Sequence, residues 1–111
     1  MASIRPGDVV TCDFPGATAV KRRPTVIVSS DIYHAQRPDL ILGVLTTRLA
    51  TAAGSTDCVL QDWSTAGLHG PSMFRFYFGM ALPTAVHRIG RLSDRDWEEV
   101  RKCIRTALAL S

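Results

Sequence analysis

The sequence predicts a mainly β domain of the α+β class, a small barrel with short helical turns and one amphipathic helix at its C-terminal end. Three observations carry that expectation. Short β-branched and apolar runs follow one another along most of the chain, single Gly and Pro residues punctuate them, and helical periodicity is sustained only after residue 93. At 111 residues there is room for one domain, assigned to 1–111, and no repeat or low-complexity tract divides it.

The elements read as follows. Arg5-Pro6-Gly7 is a turn signal that sets the start of a first strand over 8–14, and Pro15-Gly16 ends it. A loop carrying Lys21, Arg22 and Arg23 follows. Residues 24–29, PTVIVS, are nearly all apolar or β-branched, as suits a strand buried on both faces, with Pro24 at its first position. Ser30-Asp31 caps a helical turn over 32–36, broken by Arg37-Pro38-Asp39. A third strand spans 40–46, where Gly43 marks a bulge or a close backbone approach. An exposed, mobile loop is expected over 48–55, a fourth strand over 56–60, and a helical turn over 62–66 stopped by Gly67. Fifth and sixth strands are expected over 72–78 and 84–89. The last helix has Ser93 as N-cap, with Asp94 and Asp96 where carboxylates complement the helix dipole. Its stripe is Trp97, Val100, Ile104, Ala107 and Leu108, and Glu98 lies four residues before Lys102.

Composition narrows the function classes. A hydrophobic content of 46% supports a true core and excludes disorder, while a net charge of +3 permits an anionic partner without demanding one. Cys12, Cys58 and Cys103 are dispersed and odd in number, which argues for packing thiols in a reducing compartment. The N-terminus has no apolar segment of the secretory kind and no run approaches the length of a bilayer span, so a cytoplasmic location without membrane contact is expected. His34, His69 and His87 are scattered and no His or Cys pair has metal-ligand spacing, so neither metal nor cofactor is expected.

Function enters through an ordered set of motifs. These are Pro6-Gly7-Asp8-Val9-Val10, Arg23-Pro24-Thr25-Val26-Ile27-Val28-Ser29, Val44-Leu45-Thr46-Thr47, Asp62-Trp63 with Ala66-Gly67-Leu68, Pro71-Ser72 with Arg75, and Ile89-Gly90-Arg91-Leu92-Ser93. In that order and spacing they resemble the MazF/PemK/Kid toxins of toxin–antitoxin systems over nearly the whole chain. The resemblance implies an SH3-like barrel, a homodimer and a cognate antitoxin whose tail occupies the RNA groove. It implies metal-independent cleavage of single-stranded RNA, leaving a cyclic phosphate and a free 5′-hydroxyl. It places the catalytic arginine at Arg23, before the proline that opens the second strand, and the catalytic threonine at Thr46. Arg75 falls at a position tied to substrate contact, and Thr47 is a further candidate for substrate binding. Two departures stand out: Tyr77 occupies the site two residues after Arg75 where some relatives carry an acid, and Ala17-Thr18-Ala19-Val20 replaces a histidine-bearing first loop.

These residue types suit the chemistry. When a 2′-hydroxyl attacks the neighbouring phosphorus, charge builds on the non-bridging oxygens, and a guanidinium can grip two of them in its planar fork. Pro24 restricts Arg23 to extended backbone, which fixes its position. A hydroxyl from Thr46 adds one more donor, a contribution on the order of 3 kcal/mol. Lys21 and Arg22 are assigned to the phosphate backbone, a salt-sensitive role, and Tyr77 to stacking on a base. Arginine is a poor base near neutrality, so His34 is the candidate for proton transfer. The competing reading is a barrel of the same kind without catalysis, a poison of a protein target as in gyrase-inhibiting relatives, or a module that binds nucleic acid or antitoxin only.

Overall fold

The computed structural model describes residues 4–15, 19–49 and 54–110, and the elements described among them include six strands, two α-helices and a 3-10 turn. In chain order these are β1 (Asp8–Pro15), β2 (Val20–Ile27), α1 (Asp31–Gln36), β3 (Leu40–Thr46), β4 (Cys58–Val59), β5 (Met73–Ala81), the 3-10 turn Pro83–Ala85, β6 (His87–Arg91) and α2 (Asp94–Leu108). The strands form one sheet in the order β4-β5-β3-β2-β1-β6, antiparallel at every pairing. The expected mainly β, α+β class is what the chain adopts.

Strand alternation sorts the apolar residues onto two faces. Val9 stands opposite Val26, and this pair joins Leu45, Phe74, Leu92, Val100 and Cys103 in a cluster that α2 covers. The next residues along, Val10, Cys12, Phe14, Ile27, Leu42 and Val44, form a second cluster on the other face. Thr25, Val26 and Ile27 are all buried, so the later half of β2 is the two-sided central strand its composition predicts.

The second face is the inside of a curl. β1 and β5 are three strand spacings apart, about 14 Å in a flat sheet. Yet the Phe14 ring meets Tyr77 on β5 edge-on, with centroids 5.4 Å apart. A Cβ added to Gly79, also on β5, would lie 2.6 Å from the same ring. Only a strongly bent sheet brings those strands together, and Gly79 is the residue that leaves room for the ring.

Several boundaries differ from the sequence reading. Lys21, Arg22 and Arg23 lie in β2, opposite Phe14, Asp13 and Cys12, and not in a loop. Pro24 is therefore the fifth residue of the strand rather than its first. Its missing N–H costs nothing, for a reason visible in the ladder. The Ile27 carbonyl accepts from Gly7 on the β1 side and Val28 N–H donates to Ile41 on the β3 side. Alternation then turns the backbone of Pro24 toward β3, and β3 pairs with β2 only over Thr25–Ile27.

β5 runs on to Ala81 because Leu40 and Ile41 pair with Ala81 and Met80. β6 starts at His87, after Pro83 opens the 3-10 turn, and β4 shrinks to two residues. Residues 63–67 make hydrogen-bonded turns, not a helical turn, and end on Gly67 at φ +85°. The backbone of that turn lies against β6 so closely that a Cβ at Gly90 would overlap the Ala66 carbonyl. Gly43 has both expected roles: the β3–β5 register shifts there and the Phe74 ring occupies the space of a Cβ. Much of the loop expected over 48–55, and the short loop after Pro15, lie outside the described residues.

Both caps are as expected, Ser30 accepting from Tyr33 N–H and Ser93 from Asp96 N–H. Asp96 does more than complement the dipole. It is buried and accepts the backbone N–H groups of Gln61 and Asp62 at 2.9 and 2.8 Å, tying the 60s loop to α2. On the helix, Cys103 is buried where Leu108 is exposed. Lys102 pairs with Glu99, while Glu98 takes Arg101 and Arg105.

Candidate active site on the inner face of the sheet

The register decides which of the candidate residues meet. Cys12 and Phe14 on the inner face stand opposite Arg23 and Lys21, so both cations project from that face. Thr25 is paired with Val44, and Val44 with Arg75. Two residues further toward the same end of the sheet come Arg23 on β2 and Thr46 on β3, where Thr46 faces Met73. The ladder between β2 and β3 has stopped by then. Arg23 and Thr46 thus stand on the two arms of a fork, on one face, with Arg75 a row away. Tyr77 shares the alternation of Arg75 and Gly79 and touches Phe14, which puts it on the same face. One surface therefore collects Lys21, Arg23, Thr46, Arg75 and Tyr77.

Arg23 is half-buried. Its Nε is shielded from solvent and has no hydrogen-bond partner among the described residues. A shielded guanidinium donor without a partner is costly unless an anion arrives to use it. Thr46 Oγ1 accepts the Arg48 N–H at 3.2 Å, which leaves its own hydroxyl proton available to donate. Arg75 and Tyr77 are exposed, Tyr77 at 46%, so an aromatic face held by Phe14 lies open to a planar ligand.

Three candidates stand elsewhere. Arg22 projects from the opposite face, 3.9 Å from Asp13, both side chains exposed. Thr47 lies just past the end of β3 and is exposed. His34 sits on α1, where its Nε2 is 2.6 Å from Ser29 Oγ, an oxygen that also accepts the Ile41 N–H. Ser29 lies six residues from Arg23 along an extended strand, about 20 Å away, so the structure does not bring His34 to the others. Among the described residues no group of three or more His, Cys, Asp or Glu could hold a metal ion, and no helix is long and apolar enough to cross a membrane.

Sequence reasoning missed Cys12, Phe14 and Gly79, the floor beneath the cations. The alternation of Val10, Cys12 and Phe14 was the signal for the first two. Nothing in the local sequence marked Gly79.

With this geometry in place, comparison with known proteins is decisive. The family model describing the PemK-like, MazF-like toxin of type II toxin–antitoxin systems matches residues 5–108. The chain belongs to this family. Three solved structures show how the toxin fold recurs at low identity. An endoribonuclease in complex with its cognate antitoxin from a mycobacterial species has a TM-score of 0.77 at 19% identity, over 99% of this chain and 98% of that one. The Mycobacterium tuberculosis toxin MazF-mt6 has a TM-score of 0.72 at 18% identity, over 94% and 98%. A MazE–MazF structure from Deinococcus radiodurans has a TM-score of 0.72 at 16% identity, over 96% and 97%. A search among curated proteins finds no match.

Proposed function

We propose that this toxin-family chain is an endoribonuclease that cuts single-stranded RNA without a metal ion, through attack of a 2′-hydroxyl on the adjacent phosphorus. The observation that carries the reading is the fork: Arg23, whose shielded Nε has no partner among the described residues, and Thr46, whose hydroxyl oxygen accepts the Arg48 N–H, on one face and at one end of neighbouring strands.

In this mechanism the 2′-oxygen forms a bond to phosphorus, the bond to the 5′-oxygen breaks, and the products are a 2′,3′-cyclic phosphate and a 5′-hydroxyl. Arg23 and Thr46 bind the non-bridging oxygens, where negative charge accumulates in the transition state. Lys21 and Arg75 bind flanking phosphates, and Tyr77 stacks on a base. The 2′-hydroxyl proton leaves to water, and a water molecule protonates the departing oxygen.

The relatives solved with a cognate antitoxin or with MazE support assigning this chain an antitoxin that covers the cationic face. A homodimer acting in the cytoplasm completes the reading. The test is incubation of purified protein with single-stranded RNA in EDTA, with mapping of product ends. Cyclic phosphate and 5′-hydroxyl ends support the mechanism. Cleavage that requires a divalent ion rejects it. Binding of RNA or antitoxin without cleavage would leave the non-catalytic barrel as the correct reading.

A further inference from the structure

An irregularity of the sheet lies beside the cationic face. Gly43 pairs with Phe78 and the next residue, Val44, with Arg75, so one step of β3 spans three of β5 and leaves Phe76 and Tyr77 outside the ladder. A bulge of this kind frees backbone groups that a regular strand would pair, and it re-aims the side chains it carries. One freed group is satisfied from outside β5: the Phe76 N–H donates to Asp57 Oδ1 at 2.8 Å. Asp57 is buried and directly precedes β4, which pairs with the adjoining part of β5 through Cys58 and Phe74.

Tyr77, the other bulged residue, is braced by a different strand. Phe14 on β1 is only 3% exposed and meets the Tyr77 ring with centroids 5.4 Å apart and planes at 83°. Phe14 in turn fills the space that a side chain at Gly79 would need. The tyrosine nevertheless keeps 46% of its surface open. A ring whose backbone is held through Asp57 and whose edge-to-face partner is a core residue has little freedom left to lose when a flat ligand lies on it.

We propose that Asp57 and Phe14 are positioning residues for RNA binding, which hold the β5 bulge and the Tyr77 ring so that one unpaired base stacks there. The inference rests on the endoribonuclease reading above and adds to it the residues that set the stacking platform. Asp57 acts through the Phe76 N–H and Phe14 through its ring contact. Loss of either frees Tyr77 while Arg23 and Thr46 stay in place. The effect falls on affinity and not on the chemical step, because a stacked base contributes equally to the bound state and the transition state. Asparagine at position 57 keeps a carbonyl oxygen for the Phe76 N–H, whereas alanine keeps no acceptor.

The experiment uses the full chain and a short single-stranded RNA spanning the cut site found by product mapping. One version is cleavable. The other carries a 2′-deoxy nucleotide at the cut, which allows binding to be read alone, and has 2-aminopurine at each flanking position in turn. With the parent protein and with D57N, one 2-aminopurine position should change its fluorescence on binding. D57A and Y77A should lose that signal and raise Kd and KM by about fivefold to a hundredfold, with kcat within about threefold of the parent. The D57A/Y77A double variant should bind no worse than Y77A, since both changes remove one platform. F14L keeps the core filled but removes the ring; it should show the same loss, and it decides the matter where D57A does not fold. Unchanged Kd and KM in D57A and F14L would overturn the proposal. So would a fall in kcat at unchanged KM, or a loss in D57N equal to that in D57A. RNA bound but not cut would reject the nuclease reading, while the fluorescence and Kd of the same variants would still decide for or against the platform.

Discussion

Charge is handled in opposite ways at two places in this molecule. Where α2 begins, the charges of Asp62, Arg95 and Asp96 are partnered. Asp96 accepts two backbone N–H groups from the 60s loop. Asp62 takes a bidentate Arg95 at 2.9 Å on each oxygen and the Ser93 hydroxyl at 2.6 Å. On the inner face of the sheet, Lys21, Arg23 and Arg75 share one surface, and the Nε of Arg23 is shielded without a partner among the described residues. The first arrangement spends its hydrogen-bonding capacity on holding a loop to a helix. The second leaves that capacity over for something that is not part of the chain. The carboxylates that hold the loop to the helix are distinct from the cationic face on which the proposed function rests.

That contrast can be broken at either end. The largest effect is expected from R23A, which should lower RNA cleavage about a hundredfold to a thousandfold while the melting temperature stays within a few degrees. A single-turnover assay with a thermal melt checks both halves, and a normal rate would remove Arg23 from the chemistry. D96A should do the reverse. It strands two N–H groups at a buried position and should cost about 2–4 kcal/mol in urea unfolding, with little change in cleavage per folded molecule.

T46V keeps the shape and removes the hydroxyl, so cleavage should fall about tenfold to a hundredfold. An equal loss of RNA affinity in place of rate would show Thr46 to be a binding residue. The pH dependence of Asp62 is a gentler probe. Arg95 first, then Ser93, hold its carboxyl below the usual carboxylate range. A lowered folded-state value means its contribution is present above the ordinary pKa of about 4 and is lost as pH falls through the folded value. Stability measured in urea between pH 6 and 2 should drop less steeply in D62N than in the parent. The smallest effect belongs to R22A, which faces away from the site and should change the cleavage rate by no more than about twofold.

Much of the fold was readable because hydrophobic pattern and register agree. Residues 40–46 form the expected third strand with matching ends, since an unbroken apolar run between a proline turn and a polar loop has few other uses. Ser93 and Ser30 cap their helices because the capping chemistry is local. Lys21 to Arg23 were not readable as strand, because a half-strand with one neighbour and charged side chains on both faces carries no hydrophobic period. Its pairing is fixed from outside, by β1. The role of Asp96 escaped for a related reason: its partners lie 34 and 35 residues away, and an acid in a first turn already has a sufficient local explanation. At the site, residue identity pointed to Arg23 and Thr46 through family resemblance, but their meeting depends on the β2–β3 register. His34 looked close to Arg23 in sequence, and an extended strand carries it to the other end of the sheet.

Pro24 gives the fork a further property. Two neighbouring strands that share a register tend to keep closing, rung after rung, as a zipper does. Here the next rung on the β3 side would need a donor from residue 24, and proline has none. The teeth stop at Thr25 because one is missing, and the opening between Arg23 and Thr46 is thereby built in before any ligand arrives. On the proposed function, a nucleic acid strand entering that opening would have no backbone pairing to undo, and its binding energy would be free to act on the phosphate it brings.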